Sequence, residues 1–439
     1  MSMLIGFGLF LAGVAACLTL DLSLIYAMCL GLGVFALLGK KRGHTLRAML
    51  AMAWAPAAKM LPVLVIYGLI GCITALWRSS GTIAFCIYHG LRLITPHLFI
   101  LIAFLLTSAI SFALGTSFGV VGTAGVILMA LGRSGGVDAA VTAGVVLAGA
   151  YCGDRCSNAS SSAALVAAAT DTRLEDNVKM MLRTGALPFI LSAAVYGLLS
   201  WRHPIAIVDG AILDALREGF SLSPWTLLPP LLLLGLPLLH LSIRLAMAAS
   251  AVSALCVTVL CQHAPVPDAL WTALAGYTPA AEALRGVMSG GGAVSMLTAS
   301  VLMLCTAMFA GLLDGLGGLE TARRAVAWVV RRYGRFPAVT AAMTLCAMVF
   351  CNQSTGAVVT PGLVADAYAD AAPGELAQDM ENSGVVIAPL IPWNISVSIP
   401  LLMLGATARA IPYAVLLYAI PLCYGLTKKY FYPPKEKKI

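Results

Sequence analysis

The sequence predicts an all-α polytopic membrane protein with two inverted-topology repeats that contain broken helices and re-entrant hairpins. Three observations carry this. Of 439 residues, 60% are hydrophobic and 10% are charged, against about 25% charged in soluble domains, and the mean hydropathy is +0.93. Apolar runs of spanning length recur from one end to the other, which one or two anchors could not produce. Some of these runs are broken by small and polar residues, at corresponding places in the two halves.

The lipid bilayer is therefore the chain's first partner. A formal net charge of +8 does not argue for nucleic acid, because the basic residues form short clusters between apolar runs, without a basic stripe interleaved with aromatics. The twelve cysteines are scattered through apolar runs without metal or redox spacing, and read as small packing residues. Met1 to Leu18 is apolar without a basic leader, and a second apolar run follows almost at once, so it reads as a first membrane helix rather than a cleaved signal.

In order, residues 1–58 predict N-terminal helices: spans at Met3–Thr19 and Leu22–Leu38, stopped by Lys40-Lys41-Arg42, then a short interfacial helix over 45–58. Residues 59–201 form the first repeat. It has a span at Leu61–Trp77, a polar bend, a half-apolar segment to His89 and a span at Pro96–Ala113. A break at Gly115–Thr123, a half-length run to Leu131, a break at Gly153–Ser162, a charged loop at Asp171–Arg183 and a span at Ala186–Leu199 complete it. Residues 202–293 read as a linker (Asp209, Asp214, Arg217, Glu218), connecting spans at Trp225–Leu239 and Leu241–Val259, and a soluble-looking piece from His263. The second repeat, 294–427, has a span at Ser295–Leu313, an Arg-rich helix, a span at Ala338–Phe350 and a break at Asn352–Thr360. A charged bend around Glu375–Glu381, a break at Glu381–Asn394 and spans at Ile395–Leu404 and Tyr413–Leu426 follow, and 428–439 is a basic tail.

Basic residues set the orientation. Segments 78–96 and 172–184 hold two and three of them, whereas the matching segments 319–336 and 405–412 hold five and one. The bias reverses between the halves, as the positive-inside rule gives for an inverted repeat. Counting from a cytoplasmic Lys40–Arg47 returns the tail to the cytoplasm, so the chain is expected in the plasma (inner) membrane with both termini cytoplasmic.

A helix broken inside the membrane exposes N–H groups at one end and C=O groups at the other, which is tolerated only where they line a cavity or meet a ligand. Thr116 and Ser117 sit where they could cap a half-helix, and Gly115, Gly119 and Gly122 permit the bend. Pro389 and Pro392 deny helical partners to the carbonyls of Val385 and Ala388, leaving oxygens for a cation beside Asn394. Asp154 stands in an apolar surround, where desolvation disfavours a bare carboxylate, so a proton and a metal cation compete for it. Other readings stay open. Gly115 and Gly119 could be helix-packing residues, Asp154 could pair with Arg155, and Glu381 could be a solvated loop residue. Gly-Thr-Ser-Phe-Gly also matches a hydrolase nucleophile pattern on Ser117, although no strand precedes it and no histidine or acid lies near it in sequence.

The sequence resembles the NhaC-type sodium/proton antiporter family, within the broader ion-transporter superfamily, from about residue 60 to 426. The likeness is sharpest in Gly115-Thr-Ser-Phe-Gly-Val-Val-Gly-Thr, in Gly149-Ala-Tyr-Cys-Gly-Asp-Arg-Cys-Ser, and in Glu381-Asn-Ser-Gly with Pro389-Leu-Ile-Pro-Trp-Asn. The resemblance implies a secondary active Na+/H+ antiporter, not an enzyme, working by alternating access around two opposed hairpins. It needs no cofactor, and Na+ and H+ are its transported or coupling ions. Carried across, Asp154 and Ser157 would hold Na+ with Thr116 and Ser117 at the facing tip, and Asn352, Gln353, Glu381, Asn382, Ser383 and Asn394 would be their partners. A homodimer is compatible with this. Two positions depart from the family pattern: Ser161 and Asn382 stand where acids are common, which removes proton-exchangeable groups. An alternative is a sodium-coupled or exchange carrier of a small organic acid or amino acid, favoured by Arg155 and the neutral replacements. A remote alternative is an intramembrane serine hydrolase.

Overall fold

The computed structural model describes residues 3–20, 22–93, 96–158, 160–205, 210–239 and 241–432. Asp209 and the tail beyond Tyr432 lie outside them. Apolar composition without strand alternation yields helices throughout, and among the described residues the strand pairing is one isolated bridge, Tyr277 with Gly290.

The chain opens with α1 (Met3–Thr19), α2 (Leu24–Lys41) and α3 (Leu46–Ser79), then α4 (Thr82–Leu93). The expected interfacial helix over 45–58 and the span after it are one continuous 34-residue helix, α3. Neither Pro56 nor Pro62 ends it. The first interrupted region holds α5 (Phe99–Leu114), α6 (Ser117–Val120), a π-turn at Val121–Gly125, α7 (Val126–Ser134), α8 (Ala139–Cys156), α9 (Ser161–Ala169) and α10 (Leu174–Arg202). The expected charged loop at 171–183 is mostly the exposed, amphipathic start of α10, whose Glu175 and Asp176 sit in its first turn, where negative charge suits the helix dipole.

Between the two interrupted regions run α11 (Gly210–Gly219), α12 (Leu228–Leu238), α13 (Ile243–Leu260), α14 (Val266–Ala275) and α15 (Glu282–Met288). The second region holds α16 (Leu297–Gly315), α17 (Gly318–Tyr333), α18 (Arg335–Phe350), α19 (Gln353–Tyr368), α20 (Glu375–Glu381), α21 (Gly384–Ile387), α22 (Ile395–Met403) and α23 (Val415–Phe431). The expected charged bend at 375–381 is the helix α20, with Glu375, Asp379 and Glu381 all buried. Asp379 accepts from Tyr424 Oη at 2.9 Å and also from Tyr368 and Lys428, and Lys428 reaches Glu375 at 2.8 Å.

Among the described residues, three helices are long and apolar enough to cross a membrane alone: Ser117–Ser134, Leu174–Arg202 and Ala293–Gly315. Two bent pairs, Tyr67–Ser79 with Thr82–His89 and Glu375–Leu390 with Ile395–Met403, turn by 60° and 51°. α5 packs along α8, α16 lies against α3 and α2, and α10 against α23. Large apolar side chains such as Ile190, Leu231 and Leu426 face outward. On an all-helical chain of this composition that outward surface is the one lipid covers.

Candidate functional site

The breaks place the site. α5 ends at Gly115, in the left-handed region at φ 66°, ψ 24°, and the chain restarts at Thr116 (φ −143°, ψ 122°), whose hydroxyl caps the new helix by accepting from Gly119 N–H at 3.4 Å. α18 ends at Cys351, at φ 50°, ψ 22°, and restarts at Asn352 (φ −143°, ψ 124°), whose Oδ1 accepts from Ser354 N–H at 2.8 Å. The later breaks also close on caps: Ser160 starts α9, accepting from Ala163 N–H at 3.1 Å, and Asn394 starts α22, accepting from Ser396 N–H at 2.9 Å. The second break of the first half begins at Ser157, four residues later than the sequence suggests, since α8 carries through Asp154 to Cys156.

The four restarted helices point their first turns at one cavity of about 260 Å³, into which Thr116, Ser117, Asp154, Asn352 and Gln353 all project. Five of the ten site residues named from the sequence thus share one space. Among the described residues, Asp154 is its only charged lining residue. Asp154 is 8% exposed and makes no ion pair among the described residues; its carboxyl accepts from Ser117 Oγ at 3.4 Å and its carbonyl from Ser160 and, at 2.7 Å, Ser162. Gln353 Oε1 accepts from Ser396 Oγ at 3.2 Å, while its Nε2 has no hydrogen-bond partner.

The other five named residues serve elsewhere. Ser157 Oγ donates to Phe112 O at 2.6 Å. Asn394 is fully buried and structural, its Nδ2 donating to Ala347 O at 2.9 Å. The carbonyl of Ala388, expected to be open to a cation, accepts from Ile391 N–H at 3.1 Å. Ser383 Oγ donates to Asp379 O at 2.5 Å. Asn382 meets Arg155 rather than Asp154: Nη2 donates to Asn382 Oδ1 at 2.6 Å and Nε to Glu381 O at 3.2 Å. The pairing of Asp154 with Arg155 that the sequence left open is therefore absent. Glu381 is fully buried, not a solvated loop residue, and neither of its carboxyl oxygens has a hydrogen-bond partner.

Sequence reading missed Tyr67 of α3, which lines the cavity with an unpartnered, 2% exposed hydroxyl, and Ser162, Ser354 and Ser396 beside it. Ser396 follows a cap and could have been found that way. Tyr67 sits in an unbroken apolar span and gives no local signal.

Four polar helix starts thus surround one buried acid. The model of the Na+/H+ antiporter family matches residues 5–201 and 151–427. The chain belongs to the Na+/H+ antiporter family. This antiporter is an integral membrane protein and a secondary active transporter, not an enzyme, and its transported ions are Na+ and H+. The serine-hydrolase reading of Ser117 is thereby set aside. The antiporter is similar to the Na(+)/H(+) antiporter NhaC of Alkalihalophilus pseudofirmus, at 25% identity over 366 residues, 81% of this chain and 79% of that one. It is similar also to a malate-2H(+)/Na(+)-lactate antiporter of Bacillus subtilis, at 25% over 446 residues (98% and 95%). A third relative is the arginine/ornithine antiporter ArcD of Halobacterium salinarum, at 27% over 338 residues (73% and 69%).

Proposed function

We propose that this antiporter exchanges its ions in the central cavity, with Na+ and a proton competing for Asp154. The observation that carries this is the placement of one carboxylate, and no other charge, where all four restarted helices converge. A carboxylate buried there without an ion pair is costly when bare, and either a proton or a cation offsets that cost. Ser117, Thr116, Asn352 and Gln353 offer neutral oxygens to a dehydrated Na+. Glu381, fully buried without a hydrogen-bond partner, is the second carboxyl available to hold a proton.

Two inverted repeats, 59–201 and 294–427, moving against each other give the alternating access this reading needs. The matched dihedral angles at Gly115-Thr116 and Cys351-Asn352 support them. So does the reversed basic bias, which also supports both termini in the cytoplasm of a plasma-membrane protein.

The test is proton movement driven by a Na+ gradient in proteoliposomes. Asp154→Asn is expected to abolish it with protein abundance unchanged, and full activity in that variant would overturn the assignment. A second reading, in which a small organic acid or amino acid is also carried, is favoured by the cavity itself. Four positive helix ends and the unpartnered donors of Gln353 and Tyr67 suit a carboxylate. It requires that exchange be faster with an organic acid or amino acid present than with Na+ alone.

A further inference from the structure

On the other side of α8 from the exchange site lies a second cavity, of about 520 Å³, between α5, α8, α10 and α23. Its lining is apolar apart from Arg155, Ser108, Cys152 and Cys156. Arg155 is 3% exposed. Its Nε and Nη2 donate to four neutral acceptors: Glu381 O, Asn382 Oδ1, Thr184 Oγ1 and Met181 O. Among the described residues it has no carboxylate in ion-pair range, and its Nη1 has no hydrogen bond. Nη1 points at Gly185, where a Cβ would stand 2.9 Å away, so the glycine leaves room in front of it. Ser108 Oγ is buried in the same lining without a partner.

The Glu381 carboxyl acts on Arg155 only from beyond ion-pair range. A guanidinium buried without a bonded counter-ion is costly, and the cavity leaves space for an anion in front of Nη1. The cavity opens between Phe112, Leu182 and Ile190, which are 45%, 46% and 64% exposed on the outward apolar surface. A ligand therefore enters from the hydrocarbon of the bilayer. It carries one anionic head for two donors, and an apolar body for the rest of the lining. A two-donor site suits the two oxygens of a carboxylate, and the apolar walls offer nothing to the glycerol and second chain of a phospholipid.

We propose that this cavity binds a single-chain alkyl carboxylate from the bilayer, its head on Arg155 Nη1 and Ser108 Oγ and its chain between α5 and α10. The same guanidinium holds Asn382 and the Glu381 carbonyl, so occupancy reaches the second break without entering the exchange cavity.

The test uses the full chain in phosphatidylcholine liposomes with a photoreactive long-chain fatty acid. Cross-links are expected within residues 105–112 and 181–190, displaced at least tenfold better by oleate than by methyl oleate. Ala186→Trp, at the mouth and away from the hydrogen bonds of Arg155, is expected to cut labelling at least tenfold. In the unmodified protein, oleate is expected to slow alkylation of Cys152 and Cys156 by N-ethylmaleimide, read by peptide mass spectrometry. Equal displacement by the methyl ester would reduce the site to an apolar crevice and overturn the proposal. So would displacement by phosphatidylglycerol as strong as by oleate, which would make a lipid headgroup the occupant, or unchanged alkylation.

Discussion

At Gly115 and Cys351 the chain leaves a helix with φ 66° and 50° and almost the same ψ, and at Thr116 and Asn352 it enters the next with φ −143° in both. One turn is built twice, and held differently each time. A helix that stops inside the membrane leaves the carbonyls of its last turn without helical partners. In the first half, Gly115 N–H meets Ser111 O at 2.7 Å and Ser157 Oγ meets Phe112 O at 2.6 Å. In the second, three consecutive residues clamp the helix end. Trp393 Nε1 donates to Met348 O, Asn394 Nδ2 to Ala347 O and Ile395 N–H to Cys351 O, each at 2.9 Å. The first turn relies on a residue that adopts the left-handed region without strain. The second forces a cysteine into it and secures the result with a tertiary clamp. The Ser117 hydroxyl that meets the Asp154 carboxyl is thus carried on the glycine-built tip.

The clamp is where the comparison is easiest to break. Asn394→Ala leaves both the Ser396 N–H and the Ala347 carbonyl buried without their partner, at roughly 1–3 kcal/mol each. We expect a loss of about 2–4 kcal/mol, seen as a lowered thermal unfolding midpoint of the purified protein in detergent. Ser157→Ala, which removes one hydroxyl from the first helix end, should cost about 1 kcal/mol. Equal losses in the two variants would show that the halves are held alike.

The same contrast explains what was legible in the sequence. The helical runs, the Gly115 turn and the Thr116 cap were readable because apolar runs, glycine and capping side chains are local signals. Cys351 gave none, because its strained backbone depends on residues more than forty positions later. The stretch Glu375–Glu381 read as a charged bend because Tyr424 and Lys428, which hold Asp379 and Glu375, are more than forty positions away in the chain. Asp154 was found from the cost of its burial alone. That Arg155 would turn away from it, toward Asn382 and Thr184, could not be seen from two adjacent letters, since neighbours on a helix face different directions.

A smaller effect tests the turns directly. Gly115→Ala places a side chain at φ 66°, at a cost of about 1–2 kcal/mol. Cys351→Gly relieves the same strain but empties a fully buried thiol site and frees the unfolded chain, so its net change should lie within about 1 kcal/mol of zero. Paired unfolding measurements decide it. A Cys351→Gly variant destabilised more than Gly115→Ala would mean that thiol packing, not backbone conformation, sets the second turn.

The smallest effect should come from Ser117→Ala. Its hydroxyl reaches Asp154 across 3.4 Å, a long bond near the limit at which such contacts contribute, so its loss should cost no more than about 1 kcal/mol, or roughly fivefold in apparent Na+ affinity. Thr116 retains the helix cap in that variant, so stability should not move. The measurement is Na+-dependent proton movement in proteoliposomes beside Asp154→Asn. If Ser117→Ala silences exchange as completely as the loss of the carboxylate, then the glycine-built tip supplies a ligand as decisive as Asp154. The division of labour would then be reversed, with the lightly held half dictating ion binding through its hydroxyl and the carboxylate serving mainly to place it.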